Sequence, residues 1–301
     1  MFVERDGRWT RTPSEHFKDC GYCTKTTIAD VRGAIEGRTH RLAVTSKDLN
    51  PEDADEGSAV DATEVDPYFF DDGYTLAAAT GFARVWEGAE TLSRFLQTEK
   101  GRLDPGVRVV ELGAGVGACG LIAACGGAHV ALTDVAPVVE DVVRRNIAQN
   151  ALGEATERAA WPNAFRVGCG SATRATLDWT SPIPDRPFGA LDASSLYDAD
   201  VLIAAECVWL RDLVAPFVDT ASTLLKGGVG KLILCVRDRS TSDDPASGKA
   251  FAHTSEVIRA FTTAGCVVEE LHREDSREDF GKEIFIFSVR AAARRERDEA
   301  S

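Results

Sequence analysis

The chain has 301 residues, with 34 Lys plus Arg against 48 Asp plus Glu, a formal net charge of −14 with histidines neutral. At 44% hydrophobic and 27% charged, it has the make-up of a globular protein, not of a disordered or fibrous one. The acidity argues against nucleic-acid phosphates or an anionic membrane as the main partner, and leaves room for a basic one.

The opening residues, MFVERDGRWTRTPSEHF, are charged and lack an apolar core, so no secretory signal is expected. No run approaches the roughly 20 apolar residues that span a bilayer. Six cysteines (Cys119, Cys125, Cys169, Cys207, Cys235 and Cys266) stand singly, mostly in apolar runs, where thiols act as small hydrophobes. Cytoplasmic residence is the expectation, because no disulfide is demanded. Cys20 and Cys23 form a CxxC pair with His16 nearby. A structural zinc site takes four ligands and a redox dithiol wants a βαβ context, so no metal is expected and packing is the plainer role.

The spacing predicts a helix near Thr26–Glu36. Residues 48–72 then carry ten Asp or Glu and no Lys or Arg, a run that stays solvated. It closes an N-terminal extension, residues 1–75, ahead of a domain over 76–290 and a charged tail over 291–301. From about Phe82, strands and helices alternate. FARVWEGAETLSRFLQTE is an amphipathic helix, with Val85, Ala89, Leu92, Phe95 and Leu96 at helical spacing. RVVELG is a short strand entering a glycine turn, VGACGLIAACGG a helix, and HVALTD the next strand. Pro137 suits the first turn of the helix VVEDVVRRNIAQN. ATLDW, DVLIAAE, a helix over Leu213–Leu225, KLILCVRD and a helix around Phe251–Thr263 follow. CVVEELH and EIFIFSV close the series, paired antiparallel because no helical pattern joins them. Apolar strands alternating with helices indicate an α/β fold, a mostly parallel sheet covered on both faces.

ELGAGVGACG, residues 111–120, is the sharpest local signal. Gly113, Ala114, Gly115 and Gly117 join strand to helix where backbone can approach a ligand and a helix N-terminus offers unpaired N–H groups. Any tight strand-to-helix turn can use glycine, and the spacing is not that of the dinucleotide fingerprint. Asp134 adds weight: it ends the next strand, where a carboxylate accepts hydrogen bonds from both ribose hydroxyls. The pairing points to an adenosine-containing ligand.

ELGAG, TD, LDW and DVLIAAECVW together resemble the class I, seven-β-strand S-adenosylmethionine-dependent methyltransferases. More narrowly they resemble the methyltransferase family 16 protein-lysine methyltransferases, and TGFARVWEGAETLSRFL resembles that group's entry helix. The likeness covers about residues 80–290. It implies a Rossmann-like seven-stranded sheet with an antiparallel last strand. It also implies S-adenosyl-L-methionine as cofactor, with Trp86 against it, Glu111, Gly113, Ala114 and Gly115 at its methionine part, and Asp134 at the ribose. Asp178 and Trp179 would meet the adenine, and Ala205 would lie beside the sulfonium. Glu206-Cys207-Val208-Trp209 matches an acidic-x-x-aromatic motif, with tryptophan where tyrosine or phenylalanine is usual. The implied catalytic pair is Glu206 holding an incoming lysine ammonium and Trp209 facing it through a cation–π contact. The plainer role for Glu206 is capping the helix at 211.

The implied activity is methyl transfer to a lysine of a specific protein, presented on a basic exposed segment to a monomeric enzyme. Small-molecule or protein-histidine N-methylation is the enzymatic alternative, and a cofactor-binding interaction module the non-enzymatic one. Asn146 and Asn150 look like surface or capping residues, and His129 structural. Arg237 and Arg239 resemble a substrate-side R-x-R of the group or are solvated. Trp161 and Pro162 have no assignment.

Overall fold

The computed structural model describes residues 2–5, 8–11, 23–33, 38–48, 85–180, 191, 193–238 and 251–292. The acidic stretch beyond Asp48, the Cys20 half of the CxxC pair, Arg239 and the end of the tail lie outside the described residues.

The central sheet is built by β5 (Arg108–Leu112), β6 (His129–Asp134), β7 (Phe165–Val167), β8 (Gly170–Thr176), β9 (Val201–Ala205), β10 (Lys231–Arg237), β11 (Cys266–Asp275) and β12 (Glu283–Ala291). The strand order is β11-β12-β10-β9-β5-β6-β8-β7. β5 pairs parallel with β6 and β9, β6 with β8, and β9 with β10. β12 runs antiparallel between β10 and β11, as expected for the closing strands. The seven expected strands gain an eighth, because the three-residue β7 pairs antiparallel with β8 at the edge. Two of its three residues are exposed, so it leaves no apolar pattern in the sequence.

Helices cover both faces. On one lie α1 (Glu87–Phe95), α2 (Ala118–Gly126) and α3, which runs from Ala136–Val138 through a π-turn at Val139–Val143 into Arg144–Asn150. On the other lie α4 (Arg211–Lys226) and α5 (Thr254–Thr263). Strand alternation sorts neighbours between the two cores: Val109 and Ile203 pack with α1 and α2, while Val110, Leu202 and Ala204 pack with α4 and α5. Trp161 is buried, with its indole N–H donating to the His129 carbonyl at 2.8 Å and Arg108 over its ring at 4.1 Å. His129 is structural, its ring 2.8 Å from the Ser171 hydroxyl.

The N-terminal extension carries a second sheet, β1 (Phe2–Arg5), β2 (Arg8–Arg11), β3 (Cys23–Arg32) and β4 (Thr39–Asp48), in the order β2-β1-β3-β4. The expected helix near Thr26–Glu36 is therefore corrected to a strand: β3 pairs antiparallel with β4 from Cys23↔Asp48 to Arg32↔Thr39. Val31, Leu42 and Val44 join the core that contains α2. This third layer explains the sequence of α2, ACGLIAACG, which is buried from Ala118 to Cys125 and has no polar face.

Asn146 and Asn150 are not simple surface residues. On successive turns of α3 they meet Thr45 and Ala43 along the free edge of β4. The Thr45 N–H donates to Asn146 Oδ1 at 2.9 Å, and Asn146 Nδ2 donates to the Thr45 carbonyl at 2.9 Å. Asn150 repeats the pair on Ala43, at 2.9 and 2.7 Å. The match is geometric: four helical residues rise about 6 Å, close to the roughly 6.6 Å of two strand residues. Asn146, fully buried, also donates to the Val116 carbonyl at 2.8 Å, inside the glycine turn.

Candidate functional site

The glycine turn, Asp134, Trp179, Ala205 and Glu206 gather at the carboxyl ends of β5, β6, β8 and β9. That is the edge where open α/β sheets hold their ligands. Gly113, Gly115 and Gly117 have φ of +67°, +53° and +80°. Gly113 must be glycine for space as well: a Cβ there would lie 2.7 Å from the Cys207 Cβ and 3.1 Å from the Trp179 ring. The Ala114 N–H is held by the Thr133 carbonyl at 2.9 Å, tying the turn to β6.

Asp134 accepts the N–H of Gly115 at 2.8 Å on one oxygen and that of Val135 at 2.7 Å on the other. An ionised carboxylate has about four acceptor positions, so capacity for a diol remains. Burial raises the Asp134 carboxyl to about 6 against these two N–H bonds. Glu111, buried on β5, accepts the Gly120 N–H at 3.0 Å. Burial, with a smaller push from the Asp134 charge, lifts it to about 8.

Trp179 packs edge-on to Phe217, centroids 5.1 Å apart, and its buried indole N–H has no partner among the described residues. Asp178 caps its own turn, accepting the Thr180 N–H at 2.9 Å and hydroxyl at 2.7 Å. Ala205 is half-buried at the end of β9, opposite Cys235 of β10. An orphaned indole N–H, spare acceptor positions on Asp134 and a turn too tight for any Cβ at 113 fit an adenosyl group.

Glu206 stands at the end of β9, where the sequence placed it, but it does not cap α4, whose N-cap is Leu210. Its φ is +49°, a left-handed conformation that costs a non-glycine residue roughly 1–2 kcal/mol. Its carboxylate is engaged rather than open to a substrate. One oxygen accepts the Gly88 N–H at 2.7 Å, the other lies 3.0 Å from Arg237 Nε, and the side chain is only 1% exposed. Gly88 has no room for a side chain, since a Cβ would meet Glu206 Cγ at 2.5 Å.

Arg237 is not solvated either: its side chain is 4% exposed and faces Glu87 at 3.6 Å, Glu278 at 3.0 Å and Asp279 at 3.3 Å besides Glu206. Burial alone would raise the Glu87 carboxyl. The Ser276 hydroxyl and the N–H groups of Arg277 and Glu278 outweigh that and hold it below its usual range. Trp86, half-buried, is the N-cap of α1 directly before this cluster. Sequence reasoning missed Glu87, Gly88 and the burial of Arg237; the available signal was Gly88, a weak helix former in the first turn of an amphipathic helix.

Trp209 lies three residues further on, half-buried, with its ring centroid 6.4 Å from that of Phe251. The Ala252 N–H donates to the Trp209 carbonyl at 2.9 Å and fixes this aromatic pair. Sequence reasoning did not connect Phe251 to Trp209.

Residues 77–246 match the family model described as lysine methyltransferase. Protein N-lysine methyltransferase METTL21A of Danio rerio is 29% identical over 197 residues, 65% of this chain and 73% of that protein. Calmodulin-lysine N-methyltransferase of Arabidopsis thaliana is 28% identical over 150 residues, 49% of this chain and 42% of that one. Among solved structures, magnesium protoporphyrin IX methyltransferase from Synechocystis with bound SAH aligns with a TM-score of 0.45 and 16% identity, over 75% of this chain and 91% of that one.

Proposed function

The chain belongs to the lysine methyltransferase family, and on that premise we propose that it transfers a methyl group from S-adenosyl-L-methionine to a lysine of a specific protein. The observation that carries this reading is the glycine turn and Asp134 meeting at one sheet edge within the matched span. The cofactor supplies a methyl group already activated on a sulfonium, so no covalent enzyme intermediate is required.

The residues of this chain then have positional tasks. Gly113, Ala114 and Gly115 admit the ligand close to backbone, with Glu111 bracing the turn from below. Asp134 accepts the ribose hydroxyls, Asp178 and Trp179 border the adenine, and Trp86 and Ala205 flank the reacting end. Trp209 offers its face to the lysine cation, a contact worth about 0.5–2 kcal/mol. Glu206 acts by holding α1 and Arg237, its oxygens being already engaged. The lysine must reach the site as a neutral amine aligned with the S–CH3 bond, an entropic task of orientation.

A basic exposed segment is the acceptor chemistry that suits a chain of net charge −14. Six free thiols among the described residues suit a reducing compartment such as the cytoplasm. No helix among the described residues is long and apolar enough to cross a membrane. The test is incubation with methyl-labelled S-adenosylmethionine and an extract of the producing cells. Methyl-lysine in a discrete labelled protein supports the proposal, and label confined to small molecules refutes it.

A further inference from the structure

Arg237 ends β10 in a place that resembles a substrate-side arginine, yet the surroundings give it another task. Its guanidinium is almost wholly buried between three elements: the end of β9 through Glu206, the first turn of α1 through Glu87, and the turn between β11 and β12 through Glu278 and Asp279. Glu87 reaches the same turn from the other side, accepting the Ser276 hydroxyl and the Arg277 N–H, each at 2.6 Å. Glu206 in turn holds the Gly88 N–H at 2.7 Å. The first turn of α1, immediately after Trp86, is thus fastened by two carboxylates, and the cation common to both is Arg237.

We propose that Arg237 is a positioning residue for the transfer reaction. It acts through Glu206 and Glu87 to fix the start of α1, and hence Trp86, over the cofactor edge, and it does not contact the acceptor protein. Three properties single out arginine for this task. Its planar fork faces carboxylates on three elements at once, with Nε toward Glu206 and Nη1 toward Glu87, Glu278 and Asp279, whereas a lysine ammonium is a point charge. Its charge lies 3.0 Å from the Glu206 carboxylate in a site closed to water, where removing one partner of a buried ion pair is strongly destabilising. Its reach from β10 holds the Glu206 carboxylate that the left-handed backbone at φ +49° brings onto Gly88.

The inference rests on the methyltransferase reading, and its test separates the two. Amide exchange across α1, calorimetry with S-adenosylhomocysteine and steady-state transfer are measured on wild type, Arg237→Gln, Arg237→Lys and the charge-balanced pair Glu206→Gln with Arg237→Gln. The expected result for both single variants is exchange at Gly88–Leu92 at least tenfold faster. S-adenosylhomocysteine should bind at least tenfold more weakly, with KM for the acceptor protein within twofold of wild type. The charge-balanced pair should melt close to wild type yet keep fast α1 exchange and weak cofactor binding, because Glu87, though still held by Ser276 and Arg277, loses its tie to β10. Unchanged α1 exchange in a folded variant, a loss confined to acceptor KM, or full recovery of cofactor affinity in the balanced pair would each overturn the proposal. Should Arg237→Gln fail to fold, the balanced pair decides alone. A wild type that binds no S-adenosylhomocysteine removes the functional reading, while the exchange data still decide what Arg237 holds.

Discussion

Replacing Asn146 by alanine strikes a side chain that touches the N-terminal sheet and the glycine turn together. It removes partners from three backbone groups: the N–H and carbonyl of Thr45, and the carbonyl of Val116. Val116 is buried, so its carbonyl bears the full penalty of an unmet acceptor, about 1–3 kcal/mol. Thr45 is half-buried on an edge strand where water can replace the amide, so its two groups lose nearer 0.5 kcal/mol each. The total comes to about 3 kcal/mol, or roughly 6–12 °C in melting temperature for a domain of this size. Asn150→Ala should cost clearly less, because Asn150 is half-buried and its lost partners are open to water. Asn146→Asp should do at least as much harm as alanine, since it aims a carboxylate at the carbonyls of Thr45 and Val116. Thermal unfolding of the three variants, with S-adenosylhomocysteine calorimetry on the same samples, provides the measurement. Asn146→Ala melting within about 2 °C of wild type, or Asn150→Ala proving the more damaging, would refute the reasoning. Cofactor affinity should fall severalfold in Asn146→Ala because the turn loses a fixed point.

Because burial raises the Asp134 carboxyl to about 6, S-adenosylhomocysteine affinity should be flat above pH 7 and fall up to tenfold per unit as pH drops below 6. Asp134→Asn should abolish that dependence and cost about 1–3 kcal/mol of binding. Glu111, lifted from 4.5 to about 8, stabilises the fold fully below pH 4.5, and that contribution is lost as pH rises to 8. Glu111→Gln should therefore gain stability over wild type between those values and keep a constant lead above pH 8, as urea titrations at several pH values will read. Trp209→Ala should leave S-adenosylhomocysteine affinity within a few fold but cut single-turnover methyl transfer by roughly 2- to 30-fold, the energy of one cation–π contact. Trp209→Phe should retain most activity, and equal losses in both variants would deny the ring that role.

The parts of the molecule governed by local pattern were legible in the sequence. Short apolar runs such as VLIAA and LILCV, bounded by polar residues, read as buried strands, and ELGAG followed by Asp134 marks a turn and an acceptor at one sheet edge. Less legible were features decided by distant partners. TKTTIADVR has the β-branched content of a strand, but its strand state depends on pairing with β4 and on a core face shared with α2. The missing polar face of α2 was the available signal for that extra layer. Glu206 could be located but not interpreted, because its partners Gly88 and Arg237 are 118 and 31 positions away in the chain. Neither motif nor spacing tells whether a carboxylate faces solvent or a guanidinium.

The amide ladder between β4 and α3 also dictates an order of events during synthesis. Thr45 and Ala43 leave the ribosome early, but Asn146 and Asn150 are made 101 and 107 residues later. At about 5–20 residues per second the interval is of order 5–20 s. Throughout it, β4 presents an unpaired row of N–H and carbonyl groups, the feature that recruits stray strands from other chains. The hairpin must wait for the helix that will seal it, so slow translation between residues 48 and 146 should lower the soluble yield more than slow translation after residue 150.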